Sequence, residues 1–455
     1  MLSSFTLSAV PLLLAGLQAA TVNAVPTISA VGSKFFYENG TQYFIKGIAY
    51  QLKPHDPLID TAQCKRDIVR MSELGTNAIR VYHVDPSADH KGCMDAFAAA
   101  GIYLFVDLDT FDTQINQDAP QWSHSQYDAF TKVLDEFQQY DNTAGVFVGN
   151  EVLTTSNGSH AAPYVLAATR DIKAYRDKKG YRQIPVGYSA ADIAELRPML
   201  QNYLACSHNA SERLDFFSLN AYEWCGQNTY QSSGYSGLQA AAADYNIPIF
   251  FSETGCNTAK PRTFDDQAAI FGANMVDTWS GSMIYEWIEE TNDYGLISYG
   301  PSVDPATATD PNVEDGYTRQ GTPTPVMPDF DNLKAQWATL NPTGVALSDY
   351  KKRTGSITPV ACPSSTSGGW AVDPSAPLPS LGQSFKKGAE GSAITSATQS
   401  GTSAGTSTST NTSASSSQTS SAASPAGHHA SSVPSHLLTV SVLLSAGIGA
   451  VALWL

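Results

Sequence analysis

The chain has 455 residues, a formal charge of −16 and a pI near 4.9. So acidic a protein excludes nucleic acid or an anionic surface as its partner, whereas a neutral partner fits. All six cysteines lie between Cys64 and Cys362; nine scattered histidines and the absence of any CxxC or HExxH spacing exclude a sequence-local metal site, so no metal and no cofactor is expected.

From the N-terminus, residues 1–20 (MLSSFTLSAVPLLLAGLQAA) form a short apolar stretch followed by small residues. It reads as a secretory signal with a cut after Ala24 or Ala20, so residues 1–24 are assigned to a signal peptide. Pro11 and the Ser/Thr flanks argue against a buried N-terminal helix. In a secreted chain the even cysteine count implies disulfides, with fifteen pairings open. Asn39, Asn157 and Asn209 each begin an N-glycosylation sequon, and Asn411 begins another further along.

Eight strand-length apolar runs then alternate with helix-like segments. The expected strands are 43–50, 77–84, 102–109, 145–151, 184–190, 215–224, 247–253 and 282–290. Periodic stretches at 126–140 and 163–180 read as helices, the second stopping on basic residues and Gly180. Near-continuous apolar strands separated by helices mean a parallel sheet covered on both faces. Eight such units predict an α/β fold, a closed (β/α)8 TIM barrel with an elaborated C-terminal extension, over residues 25–365. A doubly wound sheet would need a glycine-rich phosphate turn after its first strand, and GIAYQLKP is none.

In such a barrel the active site forms where strands end and loops begin. Glu151 ends the fourth strand and Glu253 the seventh. Tyr50, Gln51, Tyr82, Asp107, Asp109, Tyr222, Glu223 and Tyr285 gather at the same rim. Carboxylates, amides and tyrosines without metal ligands suit a sugar. Two carboxylates across a barrel mouth are the equipment for glycosidic bond cleavage, one protonating the leaving oxygen and the other attacking or activating water. Asn150 is placed to bond a sugar 2-hydroxyl. Against this, any single rim carboxylate could simply pair with Arg80, the tyrosines could be core filler, and Glu223, Glu286, Glu289 and Glu290 are rival acids.

Past the barrel, residues 366–423 are Ser/Thr-rich, and 388–426 contain hardly any large apolar residue. Such a segment cannot bury enough surface to fold and reads as a disordered, O-glycosylated stalk. Residues 424–455 combine a polar spacer with the apolar tail 436–455, after the small residues Ser421-Ala422-Ala423. That is the pattern for replacing the tail with a glycosylphosphatidylinositol (GPI) anchor, with Ser421 as the attachment residue; a tail-anchor helix of the same length is the alternative.

The stretches GIAYQ, IRVYHVDP, VFVGNEV, LNAYEWCG, FFSETGCN and YEW…NDYGLI, spread over residues 43–296, resemble the fungal cell-wall β-1,3-glucanosyltransferases, glycoside hydrolase family 72. The resemblance implies that Glu151 is the acid/base and Glu253 the nucleophile. It further implies donor-site contacts from Tyr50, Gln51, Tyr82, Asp107, Asn150, Tyr222, Tyr285 and Tyr294. It also implies the bridges Cys64–Cys93, Cys225–Cys256 and Cys206–Cys362. No cysteine follows Cys362, so the chain resembles the branch without the cysteine-rich glucan-binding module. The expected activity is retaining transfer between β-1,3-glucan chains by a secreted monomer held at the outer membrane face and wall by its lipid anchor. The alternatives are a retaining endo-β-1,3-glucanase with the same glutamates and a non-catalytic glucan-binding wall adhesin.

Overall fold

The computed structural model describes residues 25–52, 56–353, 357–367 and 369–386. The signal at 1–24, the sequon at Asn411, the attachment residue Ser421 and the propeptide 424–455 lie outside the described residues, as does the stalk beyond residue 386. Among the described residues no helix is long and apolar enough to cross a membrane.

Eight parallel strands close into a barrel: β1 (Ile45–Ala49), β2 (Ala78–Val81), β3 (Tyr103–Asp107), β4 (Thr143–Asn150), β5 (Val186–Ala191), β6 (Phe216–Asn220), β7 (Ile249–Thr254) and β8 (Trp279–Ile284). Each pairs with its sequence neighbours, and β8 returns to β1. Alternation along each strand sorts the side chains. Ile48, Ile79, Val81, Leu104 and Val106 join the large core shared with the helices, whereas Ile45, Ala78, Tyr103 and Phe105 belong to a separate interior cluster.

The helices start and stop where local chemistry dictates. At α1 (Thr61–Leu74), Asp60 accepts from the Ala62 and Gln63 amides. At α3 (His124–Phe137; α2 is Lys91–Ala99), Ser123 and Gln126 form a capping box. That box sets the start two residues ahead of the expected 126. Next, α4 (Ala162–Lys179) ends at Gly180, whose φ of +69° is the left-handed cap glycine adopts at least cost.

The barrel floor is aromatic. Phe105, Phe147, Phe216 and Phe250 meet inside, with ring centroids between 5.2 and 6.5 Å apart. Phe216 fits because β5 carries Gly187, where a Cβ would lie 2.2 Å from its ring. Beneath, a three-stranded antiparallel sheet (Ile28–Val31, Lys34–Tyr37, Gln42–Tyr43) pushes Phe35 up against Phe105, Phe216 and Phe250.

Three expectations are corrected. The first barrel strand is Ile45–Ala49 rather than 43–50, since Gln42–Tyr43 pairs in the floor sheet. The last is Trp279–Ile284 rather than 282–290, leaving Tyr285 and Glu286 in the loop that follows. The folded part does not stop at 365 but continues to 386. Trp370 is 1% exposed against Tyr203, the Phe385 ring stacks on His160, and Gln383–Ser384 pairs antiparallel with Gln121–Trp122. A few apolar anchors hold a segment whose Ser, Gly and Pro content otherwise looks stalk-like.

The bridges Cys64–Cys93, Cys206–Cys362 and Cys225–Cys256 are all formed. The first joins α1 to α2, the second fastens the C-terminal extension to the end of α5 (Arg197–Ala205), and the third ties the loop after β6 to that after β7.

Candidate active site

Directly above the aromatic floor sits Arg80, fully buried on β2, its guanidinium 4.4 Å from the Phe147 ring centroid and 4.3 Å from that of Tyr82. A buried cation must find anions and acceptors. Arg80 grips Asp107 with two bonds of 3.1 and 2.8 Å, donates to Asn150 Oδ1 at 2.9 Å and Ser189 Oγ at 3.0 Å, and reaches Glu253 Oε1 at 3.3 Å. One side chain thus organises the ends of four further strands.

Glu253 lies on β7, 8% exposed. Besides Arg80, its Oε1 accepts from the Tyr82 hydroxyl at 2.9 Å, and its Oε2 accepts from the Tyr222 hydroxyl at 2.8 Å. Burial pushes its pKa up to about 7; Arg80 and the two hydroxyls oppose the shift, and the Glu151 charge adds to it. Every donor on this carboxylate favours its ionised form, as a nucleophile requires.

Glu151 follows β4 directly. Its φ of +46° is the left-handed region that a branched or bulky residue enters at a cost of about 1–3 kcal/mol. The turn takes its side chain off the strand's regular alternation, and the Ser189 carbonyl anchors its amide at 2.8 Å. Oε1 accepts from Asn220 Nδ2 at 2.9 Å. The same Nδ2 donates to Asn150 Oδ1 at 3.1 Å, so Asn220, Asn150 and Arg80 bridge the two glutamates. Asn220 is itself fixed by Ser189 and Ser252, whose hydroxyls donate to its Oδ1 at 2.9 and 2.8 Å. Glu151 has this one donor against Glu253's three, so it is the less tightly held of the two carboxyls.

Around the glutamates, Tyr222, Tyr285 and Tyr294 pack edge to face, with centroids 5.4–6.3 Å apart. Gln51 donates from Nε2 to the Tyr285 hydroxyl at 3.2 Å and to Glu286 at 2.8 Å. Behind this wall, buried Arg262 donates to the carbonyls of Tyr285 and Gly295, holding the backbone beside Tyr285 and Tyr294, while Asp329 holds Arg262 at 2.7 Å.

Gln51, Tyr82, Asn150, Glu151, Tyr222, Glu253, Tyr285 and Tyr294 therefore come together. Two of the expected sugar contacts do not. Tyr50 is fully buried on the outer side of the barrel wall, its hydroxyl on Asp67 at 2.8 Å and its ring against Phe97 and Trp287. Strand parity sends Gln51 inward and Tyr50 out to the helices. Asp107, 2% exposed, has both oxygens held by Arg80 and serves as that cation's support. Of the rival acids, Glu290 pairs with Arg319, Glu286 accepts from Gln51 and Asn292, Glu289 is hydrogen-bonded with Asp293, and Glu223 is exposed. The sequence reading missed Asn220, Ser189, Ser252 and Arg262. Asn220 carried a signal, a polar residue closing the apolar run FFSLN just as Glu151 closes its own.

Against known proteins, a family model described as Glucanosyltransferase, glycoside hydrolase family 72, matches residues 17–315. Protein EPD1 of Candida maltosa is 39% identical over 355 residues, which are 76% of this chain and 60% of that protein. A 1,3-beta-glucanosyltransferase of Candida albicans is 39% identical over 349 residues, covering 71% of this chain and 52% of the relative. The chain thus spans between about half and three fifths of the length of these curated relatives. The solved structure of a mutant of Saccharomyces cerevisiae Gas2p with laminaritetraose and laminaripentaose superposes with a TM-score of 0.70 at 36% identity, covering 80% of this chain and 76% of that one. With its own eight-stranded barrel and this match over more than half its length, the chain belongs to the glucanosyltransferases of glycoside hydrolase family 72.

Proposed function

We propose that the protein is a retaining β-1,3-glucanosyltransferase, which cleaves a β-1,3-glucan internally and passes the new reducing end to the non-reducing end of another glucan. The observation that carries this is the division of labour between two bridged carboxyl groups: Glu253 held by three donors, Glu151 by one. In the first step Glu151 gives its proton to the glycosidic oxygen while a Glu253 oxygen bonds the anomeric carbon. The leaving chain departs as an alcohol and a glycosyl ester remains. In the second step Glu151, now a carboxylate, takes the proton of an acceptor hydroxyl. That oxygen attacks the anomeric carbon and frees Glu253. With its oxygen engaged, Asn150 offers its Nδ2 group to the sugar 2-hydroxyl, and Tyr222, Tyr285 and Tyr294 offer ring faces and edges to sugar C–H surfaces.

Transfer beats hydrolysis only when the acceptor is held in place, where effective molarities reach on the order of 10⁵ M or more. A reduced β-1,3-oligosaccharide should therefore yield both shorter and longer chains, the longer joined by new β-1,3 bonds, without metal or nucleotide. Shorter sugars alone, with reducing ends rising in step, would make the protein an endo-β-1,3-glucanase.

We read the remaining segments as those of an anchored wall protein: signal 1–24, catalytic domain from residue 25, Ser/Thr-rich stalk, and propeptide 424–455 replaced by a GPI anchor at Ser421. The working site is then the outer face of the cell membrane and the wall, with the protein a monomer. Three disulfides suit an oxidising compartment, and Asn39, Asn157 and Asn209 are all exposed, as glycosylated asparagines must be. Mass spectrometry of the mature protein should find no peptide from 436–455. Recovering AVALWL would point to a membrane-spanning tail instead.

A further inference from the structure

Among the described residues, five large apolar side chains stand exposed, and Phe111, at 62%, is the aromatic one. Its position is not arbitrary. It lies four residues past the end of β3, and its ring packs on His83, two residues past β2, with centroids 4.1 Å apart. His83 is in turn close enough to Asp107 for its charge to pull that carboxyl's pKa down, against the larger upward effect of burial. Asp107 holds Arg80, and Arg80 reaches Glu253. Phe111 thus stands, with His83, near the carboxylate that holds Arg80.

The loop that presents it is built. Thr110 and Thr113 close a turn through the Thr110 amide and the Thr113 hydroxyl at 2.8 Å. Gln126 of α3 donates to the Gln114 carbonyl at 3.1 Å, and Ile115 is 2% exposed. A ring backed by His83 on one side, on a fixed loop, keeps its other side in water. At the C-terminal rim of a barrel, where ligands bind, such a ring face is available to one.

Where it stands says what that is. In a closed ring of eight strands, β2 and β3 lie half a circumference from β6 and β7. The wall of Tyr222, Tyr285 and Tyr294 rises after β6 and β8, on either side of the β7 that carries Glu253, whereas Phe111 follows β3, the strand opposite β7 and next to the β4 that leads into Glu151. We propose that Phe111, backed by His83, is a stacking platform for a distal sugar of a β-1,3-glucan chain, so that the chain crosses the whole mouth. This rests on the functional reading above.

The test separates the two. In a Glu151→Gln background, Kd is measured by titration calorimetry for β-1,3-oligosaccharides of increasing length, with and without Phe111→Ala and Phe111→Tyr. Losing one aromatic contact should weaken the longest ligands about 3- to 10-fold. The Phe111→Ala penalty should grow with chain length, and Phe111→Tyr should restore binding. A penalty independent of length, or none, overturns the platform. Absence of any turnover by the unmutated protein overturns the functional reading instead, whatever the Kd ladder shows.

Discussion

Glu253→Gln should lower both transfer and hydrolysis by at least about 10⁴-fold, because an amide cannot form the glycosyl ester on which both would depend. It should form no covalent species even with a glycosyl fluoride, whose leaving group needs no proton. Glu151→Gln should behave differently. It should lose about 10²–10⁴-fold on glucan, where the leaving oxygen must be protonated, yet keep most of its first-step rate on the fluoride and accumulate glycosyl-enzyme. Intact-mass measurement after mixing distinguishes the two. A covalent adduct on Glu289, or on the Glu253→Gln protein, would overturn the assignment.

The same substitution should stabilise the fold, with a pH dependence whose sign is fixed. Burial raises Glu253 from 4.5 to about 7, so between those values the folded protein holds a proton that the unfolded chain releases. Its stabilising contribution is complete below about pH 4 and is lost as pH rises through 7. Asp67 and Asp266, raised to about 6, and Asp109, raised to about 8, all chiefly by burial, act in the same direction. Melting temperature should therefore fall from pH 5 to pH 8. Glu253→Gln, neutral throughout, should gain about 1–3 kcal/mol over the wild type across that interval. Equal slopes for the two proteins would show that Glu253 titrates normally in the fold.

Arg80→Ala should be the most damaging single change away from the two glutamates. It leaves Asp107 buried at 2% exposure without its counter-charge, and breaking a buried pair from one side costs about 3–5 kcal/mol. Arg80→Lys should rescue little, because a point charge cannot reproduce the paired bonds to Asp107 together with those to Asn150 and Ser189. Urea unfolding reads the stability loss, and kcat/KM reads the loosened Asn150 and Glu253. A double cycle with Asp107→Ala should be strongly non-additive. Additive losses would mean that the two side chains are not coupled as their geometry implies.

The barrel was legible because its strands are written as apolar runs between helical stretches, and both glutamates stood out as charges ending such runs. The limits of legibility were physical ones. Tyr50 and Gln51 are adjacent, and only the parity of β1 decides which meets the cleft. Tyr285-Glu286-Trp287 is as strand-like in composition as the run before it, so nothing in the composition marks the end of β8 at Ile284. Asn220, Ser189 and Ser252 act through partners 31 to 109 residues away, a pairing that appears only once the ring has closed. Trp370 and Phe385 are single anchors in a polar segment, too sparse to make a periodic signal.

The C-terminal strap also decides how the domain answers a mechanical pull. Tension arriving from beyond residue 386 first meets the two-residue ladder between Gln383–Ser384 and Gln121–Trp122, which can peel one bond at a time. The buried Trp370 would yield next. There the unravelling stops, because the covalent link from Cys362 to Cys206 carries the force into the end of α5. The strap is a sacrificial slack of some twenty residues, and the strands that position Glu151 and Glu253 keep their spacing while it unravels.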